Sequence, residues 1–368
     1  MARILLTLAM LILAAGCGRS DAPQDTGSLP GSKPNAPPPA ADGETALTGA
    51  GATFPYPLYA KWISEFQKAN PKVKINYQSI GSGGGIRQIT ERTVDFGATD
   101  APMTEEQLAK APGLLHLPTC LGAVVLTYNL EGVPSGLKLT PDAAAHIFLG
   151  KIKKWNDPAI QQENPDVKLP DKEIATVHRS DGSGTTKIFV DYLSAVSPEW
   201  KNGPGTGTSV NWPGGLGAKG NDGVSALISS TPASIGYIEL AYAVQNKLTF
   251  ASLRNKSGKF VAPSLDSTTA AAAGAAARMP DDLRISLVDA EGEGAYPIAG
   301  FTYILAFQEQ KDLAKGKVLA RFMKWAMQDG QKFTNDLHYA PLPAAVVEKV
   351  NAKLAALVGP DGKPLLAP

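Results

Sequence analysis

The 368-residue chain carries 35 Lys and Arg residues against 34 Asp and Glu residues, which gives a formal net charge of +1. Its 43% hydrophobic and 19% charged residues are typical of a globular protein, and the length suffices for two domains. The charge balance argues against nucleic acid as a partner, because binding a phosphate backbone normally needs a basic surface.

The first 17 residues predict a bacterial lipoprotein signal. Arg3 precedes an apolar run, residues 4–15, that is too short to span a bilayer. The run ends in LAAGC, which resembles a lipobox, so residues 1–17 would be a signal peptide and Cys17 would carry the lipid anchor. A plain secretory signal with a chance cysteine is the alternative. Residues 18–45 are rich in Pro, Ala and Gly and predict a disordered tether.

Beyond the tether, short β patterns alternate with amphipathic helical ones. Strands are predicted at residues 73–77, 122–128 and 174–178, and helices begin near Pro55 and after the loop at residues 181–186. This order predicts an α/β fold with largely parallel sheets, in which ligands bind at the carboxyl ends of strands. The alanine-rich run at residues 269–277 predicts a helix or a surface insertion, and Cys120 is expected to be buried.

Three segments combine small residues with a hydroxyl and lead directly into a helical pattern. They are GAGATF at residues 49–54, GSGGG at 81–85 and DGSGTT at 181–186. A helix N-terminus offers unpaired N–H groups and the positive end of the helix dipole, and glycine lets that backbone approach a ligand. Three such loops predict convergence on one small oxyanion. A GxGxxG pattern at residues 215–220 lacks a clear preceding strand, which argues against a dinucleotide site.

These segments, together with VDFGATDAP at residues 94–102 and RSDGSGT at 179–185, resemble the ligand-contacting segments of phosphate-binding proteins. Those proteins are the solute receptors of the bacterial high-affinity phosphate ABC transporter. The resemblance implies a periplasmic-binding-protein-like α/β fold, in which two α/β lobes are joined by two hinge strands and the ligand lies in the cleft between them. Residues 46–127 plus 301–368 would form the first lobe and residues 128–300 the second, with crossings near residues 126–127 and 301–302.

The resemblance also implies which residues contact phosphate. They are Thr53, Phe54, Ser82, Asp100, Arg179, Asp181, Ser183, Gly184 and Thr185. It implies an extracytoplasmic lipoprotein of the periplasm or cell surface, which captures inorganic phosphate and delivers it to a membrane-embedded ABC permease. No cofactor, metal or chemical conversion is expected, and the protein is expected to be a monomer.

The residue chemistry suits such a ligand. Arg179 can form a charge-assisted, bidentate pair, which Asp181 can orient, although an exposed ion pair beside a turn is the alternative. Asp100 would repel an anion unless the anion brings a proton. Phosphate carries a hydroxyl that can donate to Asp100, whereas sulfate at neutral pH does not. The alternative for Asp100 is a helix N-cap.

Three other functions remain to be distinguished. A phosphatase is disfavoured because Asp181 stands where a GxSxG nucleophile elbow around Ser183 requires glycine, and because the four histidines lack metal-ligand spacing. A receptor for another tetrahedral oxyanion would have to bind its anion despite repulsion from the Asp100 carboxylate. A purely structural surface lipoprotein would bind no anion at all.

Overall fold

The computed structural model describes residues 43–366, so that the predicted signal peptide, its Cys17 and nearly all of the predicted tether lie outside the described residues. Within this range the strands, in chain order, are β1 (Thr45–Gly51), β2 (Val73–Ser79), β3 (Phe96–Thr99), β4 (Leu114–Asn129), β5 (Lys138–Leu139), β6 (Ala175–Arg179), β7 (Leu216–Ala218), β8 (Ser234–Glu239), β9 (Thr249–Phe250), β10 (Ser252–Arg254), β11 (Phe260–Val261) and β12 (Ala299–Phe307).

The α-helices of the same range alternate with these strands. They are α1 (Tyr56–Ala69), α2 (Ser82–Thr90), α3 (Glu105–Ala109), α4 (Pro141–Phe148), α5 (Pro158–Gln161), α6 (Gly184–Val196), α7 (Pro198–Asn202), α8 (Gly220–Ser230), α9 (Leu240–Gln245), α10 (Leu265–Ala271), α11 (Ala275–Arg278), α12 (Leu313–Gln328) and α13 (Ala344–Ala355). Two short 3-10 helices, Gly330–Phe333 and Asn335–Leu337, lie between α12 and α13. The α/β class is therefore confirmed. No helix within residues 43–366 has both the length and the apolar character that crossing a bilayer requires.

The main sheet has two parallel halves around an antiparallel centre. Its strand order is β2-β1-β3-β12-β4-β8-β6-β7, with β9 also pairing with β4. Strands β1, β2 and β3 pair in parallel, as do β6, β7 and β8, but β12 pairs antiparallel with both β3 and β4. The expectation of largely parallel pairing is thus wrong at the centre, because β4 and β12 are the long strands shared between the halves and do not follow βαβ crossovers onto their neighbours.

Strand β4 changes partner along its length. Its residues up to Ala123 pair with β12, and its residues from Val124 onward pair antiparallel with β8. The two halves of the sheet are therefore offset along β4. Strands β1, β2 and β3 run towards the point where β4 changes partner, and strands β8, β6 and β7 run towards it from the opposite direction. The carboxyl ends of the two parallel sets therefore face each other. Loops leaving those ends meet in one place, as the general rule for ligand sites in α/β folds anticipates.

The predicted helices show why these segments fold as they do. Helix α1 buries one face, through Leu58, Tyr59, Trp62, Ile63 and Phe66, as its apolar spacing predicts. Helix α6 begins at a cap in which Ser183 Oγ accepts the backbone N–H of Thr186 at 3.0 Å. The alanine-rich run forms parts of two short helices, α10 and α11, which Gly274 separates with a φ of +70°.

Candidate anion-binding site

Three of the strand-end loops meet at Gly184, the first residue of α6. A Cβ atom added to Gly184 would lie 2.5 Å from both Asp100 Oδ2 and Ser82 Oγ. Ser82 begins α2 after β2, and Asp100 directly follows β3, so one glycine touches groups from both neighbouring loops. Only a residue without a side chain fits there. Two of the three glycine-rich loops, at residues 81–85 and 181–186, thus lie together at this point, and their convergence on one anion stays a prediction.

Arg179 supplies a buried positive charge at the carboxyl end of β6. Its side chain is 1% exposed, and its guanidinium forms a bidentate pair with Asp181, with Nε donating to Oδ1 at 2.7 Å and Nη2 to Oδ2 at 2.5 Å. The alternative of an exposed surface pair is therefore wrong. Burial favours the neutral acid of Asp181, but the Arg179 guanidinium and the N–H of Gly220 outweigh that effect and hold its pKa below the usual range.

Asp100 is a buried carboxylate facing the same loops. Its side chain accepts hydrogen bonds from Thr302 Oγ1 to Oδ1 at 2.7 Å and from Ser82 Oγ to Oδ2 at 3.4 Å. Burial raises the pKa of Asp100 to about 7, although Thr302, the charge of Arg179 and Ser82 all favour ionisation. A carboxyl that titrates near neutrality can exchange a proton with a weakly acidic ligand.

The loop after β1 is held by two tyrosines through its backbone. Tyr242 Oη donates to the carbonyl of Thr53 and Tyr339 Oη to that of Phe54, each at 2.6 Å. The ring of Phe54 is completely buried, and a Cβ on Gly122 would lie 2.5 Å from it. Phe54 can therefore offer a ligand only its backbone N–H, which has no acceptor among residues 43–366.

Helix N-termini supply further donors. Gly184 and Thr185 occupy the first turn of α6 and Ser82 the first position of α2, where backbone N–H groups have no intrahelical partner. Ser183 is fully buried, and its hydroxyl oxygen is engaged as the cap of α6, which leaves its proton available to a ligand. The nine predicted residues thus lie at the carboxyl ends of β1, β2, β3 and β6 or in the segments that directly follow them.

Two residues that we did not predict as site residues belong to the same cluster. Thr302, on β12, donates to Asp100, as described above. Asn221, the second residue of α8, donates from Nδ2 to Thr53 Oγ1 at 2.8 Å and to Thr185 Oγ1 at 3.1 Å. It therefore links the loop after β1 with α6.

No strand directly precedes the GxGxxG pattern, as the sequence indicated. Strand β7 has only three residues, Leu216–Ala218, and lies within the pattern at residues 215–220. The N–H of Gly220 donates to Asp181 Oδ1 at 3.2 Å, so a carboxylate occupies this helix start and a dinucleotide phosphate is again disfavoured.

Loops from the two halves of the sheet also make a contact that involves backbone atoms alone. The N–H of Gly83 donates to the carbonyl of Gly182 at 2.9 Å. A Cβ on either glycine would lie 3.1 to 3.2 Å from the Cα atom of the other. We call this contact the glycine seam. Within residues 43–366, no group of three or more His, Cys, Asp and Glu side chains is arranged to hold a metal ion.

Comparison with known proteins gives matches over most of the chain. The profile of the PBP superfamily domain matches residues 36–329. The chain is 46% identical over 354 residues to the phosphate-binding protein PstS of Xylella fastidiosa, which covers 96% of this chain and 97% of that protein. It is 48% identical over 321 residues to PstS of Pasteurella multocida, which covers 87% of this chain and 93% of that protein.

A solved structure supports the same fold. The phosphate-binding protein of Stenotrophomonas maltophilia superimposes with a TM-score of 0.66 at 22% identity, and the match covers 84% of this chain and 94% of that one. At 22% identity, this structural similarity shows only that the chain has the two-lobed binding-protein fold. The superfamily profile and the PstS relatives together show that this chain belongs to the PBP superfamily and, within it, to the PstS family of phosphate-binding proteins.

Proposed function

We propose that this chain is an extracytoplasmic receptor that captures inorganic phosphate and delivers it to a membrane-embedded ABC permease, without chemical conversion. The observation that carries the proposal is that the glycine-rich loops at residues 81–85 and 181–186 meet at Gly184 beside buried Asp100, with buried Arg179 close to the first of these loops. The names of its relatives, phosphate-binding proteins at 46% and 48% identity, support the same ligand.

The donor set favours phosphate over other tetrahedral oxyanions. Hydroxyl and backbone N–H groups with Arg179 can bind the unprotonated oxygens of an anion. Asp100 would accept the hydrogen of a protonated oxygen, and a fully ionised anion would meet its carboxylate without one. We propose that Thr53, Phe54, Ser82, Asp100, Arg179, Asp181, Ser183, Gly184 and Thr185 form the phosphate site, with Asp181 acting through Arg179.

The two parallel halves of the sheet provide the lobes of this receptor. We propose that residues 46–127 plus 301–368 form one lobe and residues 128–300 the other. The partner change of β4 between Ala123 and Val124 supports a crossing in that strand, close to the crossing expected near residues 126–127. Strand β12, which begins at Ala299, would carry the return.

The purified protein is expected to bind one inorganic phosphate per chain and to close on it. Closure follows if phosphate contacts both lobes, because a ligand shifts a conformational equilibrium only through contacts that differ between the two states. Calorimetric titration should give a stoichiometry of one, and small-angle X-ray scattering should show a smaller radius of gyration with phosphate.

The same preparation distinguishes the alternative functions. An unchanged scattering profile at saturation would count against closure, and no binding at about millimolar phosphate would overturn the proposed function. Preferential binding of sulfate would indicate a different oxyanion receptor. Hydrolysis of a chromogenic phosphomonoester would indicate a phosphatase, and the absence of any anion-induced rise in melting temperature would favour a structural lipoprotein.

We further propose that a lipid on Cys17 anchors the protein in the cell envelope, in the periplasm or at the cell surface, as a monomer. Cys17→Ser is expected to move the protein into the soluble fraction of expressing cells while leaving its phosphate affinity unchanged. Stable attachment needs more than one acyl chain, which a bacterial lipoprotein anchor provides. A Cys17→Ser protein that still sediments with membranes after signal cleavage would rule out lipidation as the anchor.

A further inference from the structure

Asn221 lies completely buried between two threonine hydroxyls that come from different loops. Its amide nitrogen carries two hydrogens. One is directed to Thr53 Oγ1 at 2.8 Å and the other to Thr185 Oγ1 at 3.1 Å. Thr53 follows β1 and Thr185 lies in α6, so a single amide group connects hydroxyls from the two parallel halves of the sheet.

The orientation of this amide is fixed by the backbone. The N–H of Glu239 donates to Asn221 Oδ1 at 2.9 Å. A backbone N–H can only donate, so the atom that faces it must be the amide oxygen. The NH₂ group must therefore face the two threonines.

Both threonine oxygens have their acceptor capacity occupied by groups that can only donate. Thr53 Oγ1 accepts from the backbone N–H of Asn221 at 3.2 Å as well as from its side chain. Thr185 Oγ1 accepts from the same amide and, at 3.5 Å, from Arg179 Nη1. A hydroxyl has two lone pairs and one hydrogen, so each of these hydroxyls keeps only its hydrogen for another partner. Within residues 43–366 neither hydroxyl has an acceptor.

We propose that Asn221 is a positioning residue that holds the hydroxyls of Thr53 and Thr185 as donors towards the bound anion and thereby orients it. The inference rests on the proposed phosphate-binding function. The part of the site beside Thr53 and Thr185 then accommodates only unprotonated oxygens of the anion. The protonated oxygen of phosphate must turn to the side of Asp100, whose carboxylate can accept it.

Asn221→Asp tests this assignment with nearly the same shape. The new carboxylate only accepts, so both threonine hydroxyls turn towards it and are lost as donors to the anion. We expect the affinity of the purified protein for inorganic phosphate to fall at least about 100-fold.

Asn129→Asp is the matched control. The Asn129 amide holds the other end of α8 by donating to the carbonyls of Ile228 and Ser229, each at 3.0 Å. If Asn221 acted only by docking α8, both substitutions would weaken binding comparably. We expect the Asn129 variant to bind phosphate within about threefold of the parent.

A double-mutant cycle decides the matter if Asn221→Asp does not fold. Thr53→Val is expected to weaken phosphate binding by about tenfold or more in the parent but by only about threefold beside Asn221→Ala, because the hydroxyl is no longer oriented there. Thr53→Ser, which keeps the hydroxyl, should retain most of the affinity in the parent. Circular dichroism would establish that each variant is folded.

Each outcome has a distinct meaning. Additive losses in the cycle, or parent-like affinity of a folded Asn221→Asp protein, would overturn the inference while leaving the proposed function intact. A parent protein that does not bind inorganic phosphate would overturn the proposed function and the inference with it.

Discussion

Arg179→Ala is expected to weaken phosphate binding by roughly 2–5 kcal/mol, because a largely desolvated anion loses its buried cationic partner and Asp181 is left as an unpaired carboxylate. The side chain of Arg179 is 1% exposed, so solvent cannot replace the lost charge. Calorimetric titration of parent and variant at the same ionic strength measures the effect.

Two further variants separate the charge of Arg179 from its partner. Arg179→Ala combined with Asp181→Asn should recover part of the loss, because the remaining carboxylate no longer repels the ligand. Arg254→Ala is the matched control, since Arg254 pairs with Glu163 at 2.6 Å and is 36% exposed. Affinity should be unchanged there. If Arg179→Ala binds phosphate as tightly as the parent, the site has been misplaced.

Asp100→Asn is expected to admit sulfate as a competitor. The substitution keeps the shape, removes the like charge and adds an amide that can donate to an unprotonated oxygen. Phosphate can still donate to the amide oxygen, so its affinity should change less than the phosphate-to-sulfate ratio. Competition titrations at fixed ionic strength test this. A ratio unaltered in both Asp100→Asn and Asp100→Ala would leave Asp100 with only a structural role.

The same substitution should change how stability depends on pH in the phosphate-free protein. The pKa of Asp100 is raised from an ordinary 3.8 to about 7, so the unfolded chain binds fewer protons at this group between those values. Its contribution to the free energy of unfolding therefore falls as pH rises through that interval. In the Asp100→Asn variant the side chain at position 100 does not ionise. Above pH 7 this variant should be more stable than the parent by on the order of 2–4 kcal/mol. Denaturant unfolding along a pH series measures the difference.

The strand-end loops could be predicted because their chemistry is local. Glycine, a hydroxyl and the start of a helix stand side by side in the chain, and each such loop in the structure begins a helix or follows a strand. Strand β4 was recognised over residues 122–128 only, although it begins at Leu114. Its residues are buried on both faces, so it lacks the alternating pattern that marks a half-exposed strand.

Asn221 and Thr302 could not be assigned in the same way. Their roles depend on contacts with residues far away in the chain: Asn221 with Thr53, and Thr302 with Asp100. One local signal was present for Asn221. Asn221 follows a glycine, Gly220, which has a φ of +70° at the start of a helix. No sequence pattern shows, however, that the amide of Asn221 faces the hydroxyl of Thr53, 168 residues away.

The glycine seam has a consequence for how affinity is set. Gly83 and Gly182 meet through backbone atoms, so a methyl group on either would hold the two halves apart by a few tenths of an ångström. Such a change would leave every proposed ligand contact chemically intact and reduce only the fraction of molecules in the binding-competent state. Apparent affinity scales with that fraction. Selection for uptake at a given external phosphate concentration can thus act on residues that make none of the proposed contacts with the anion, tuning occupancy without altering which anion is recognised.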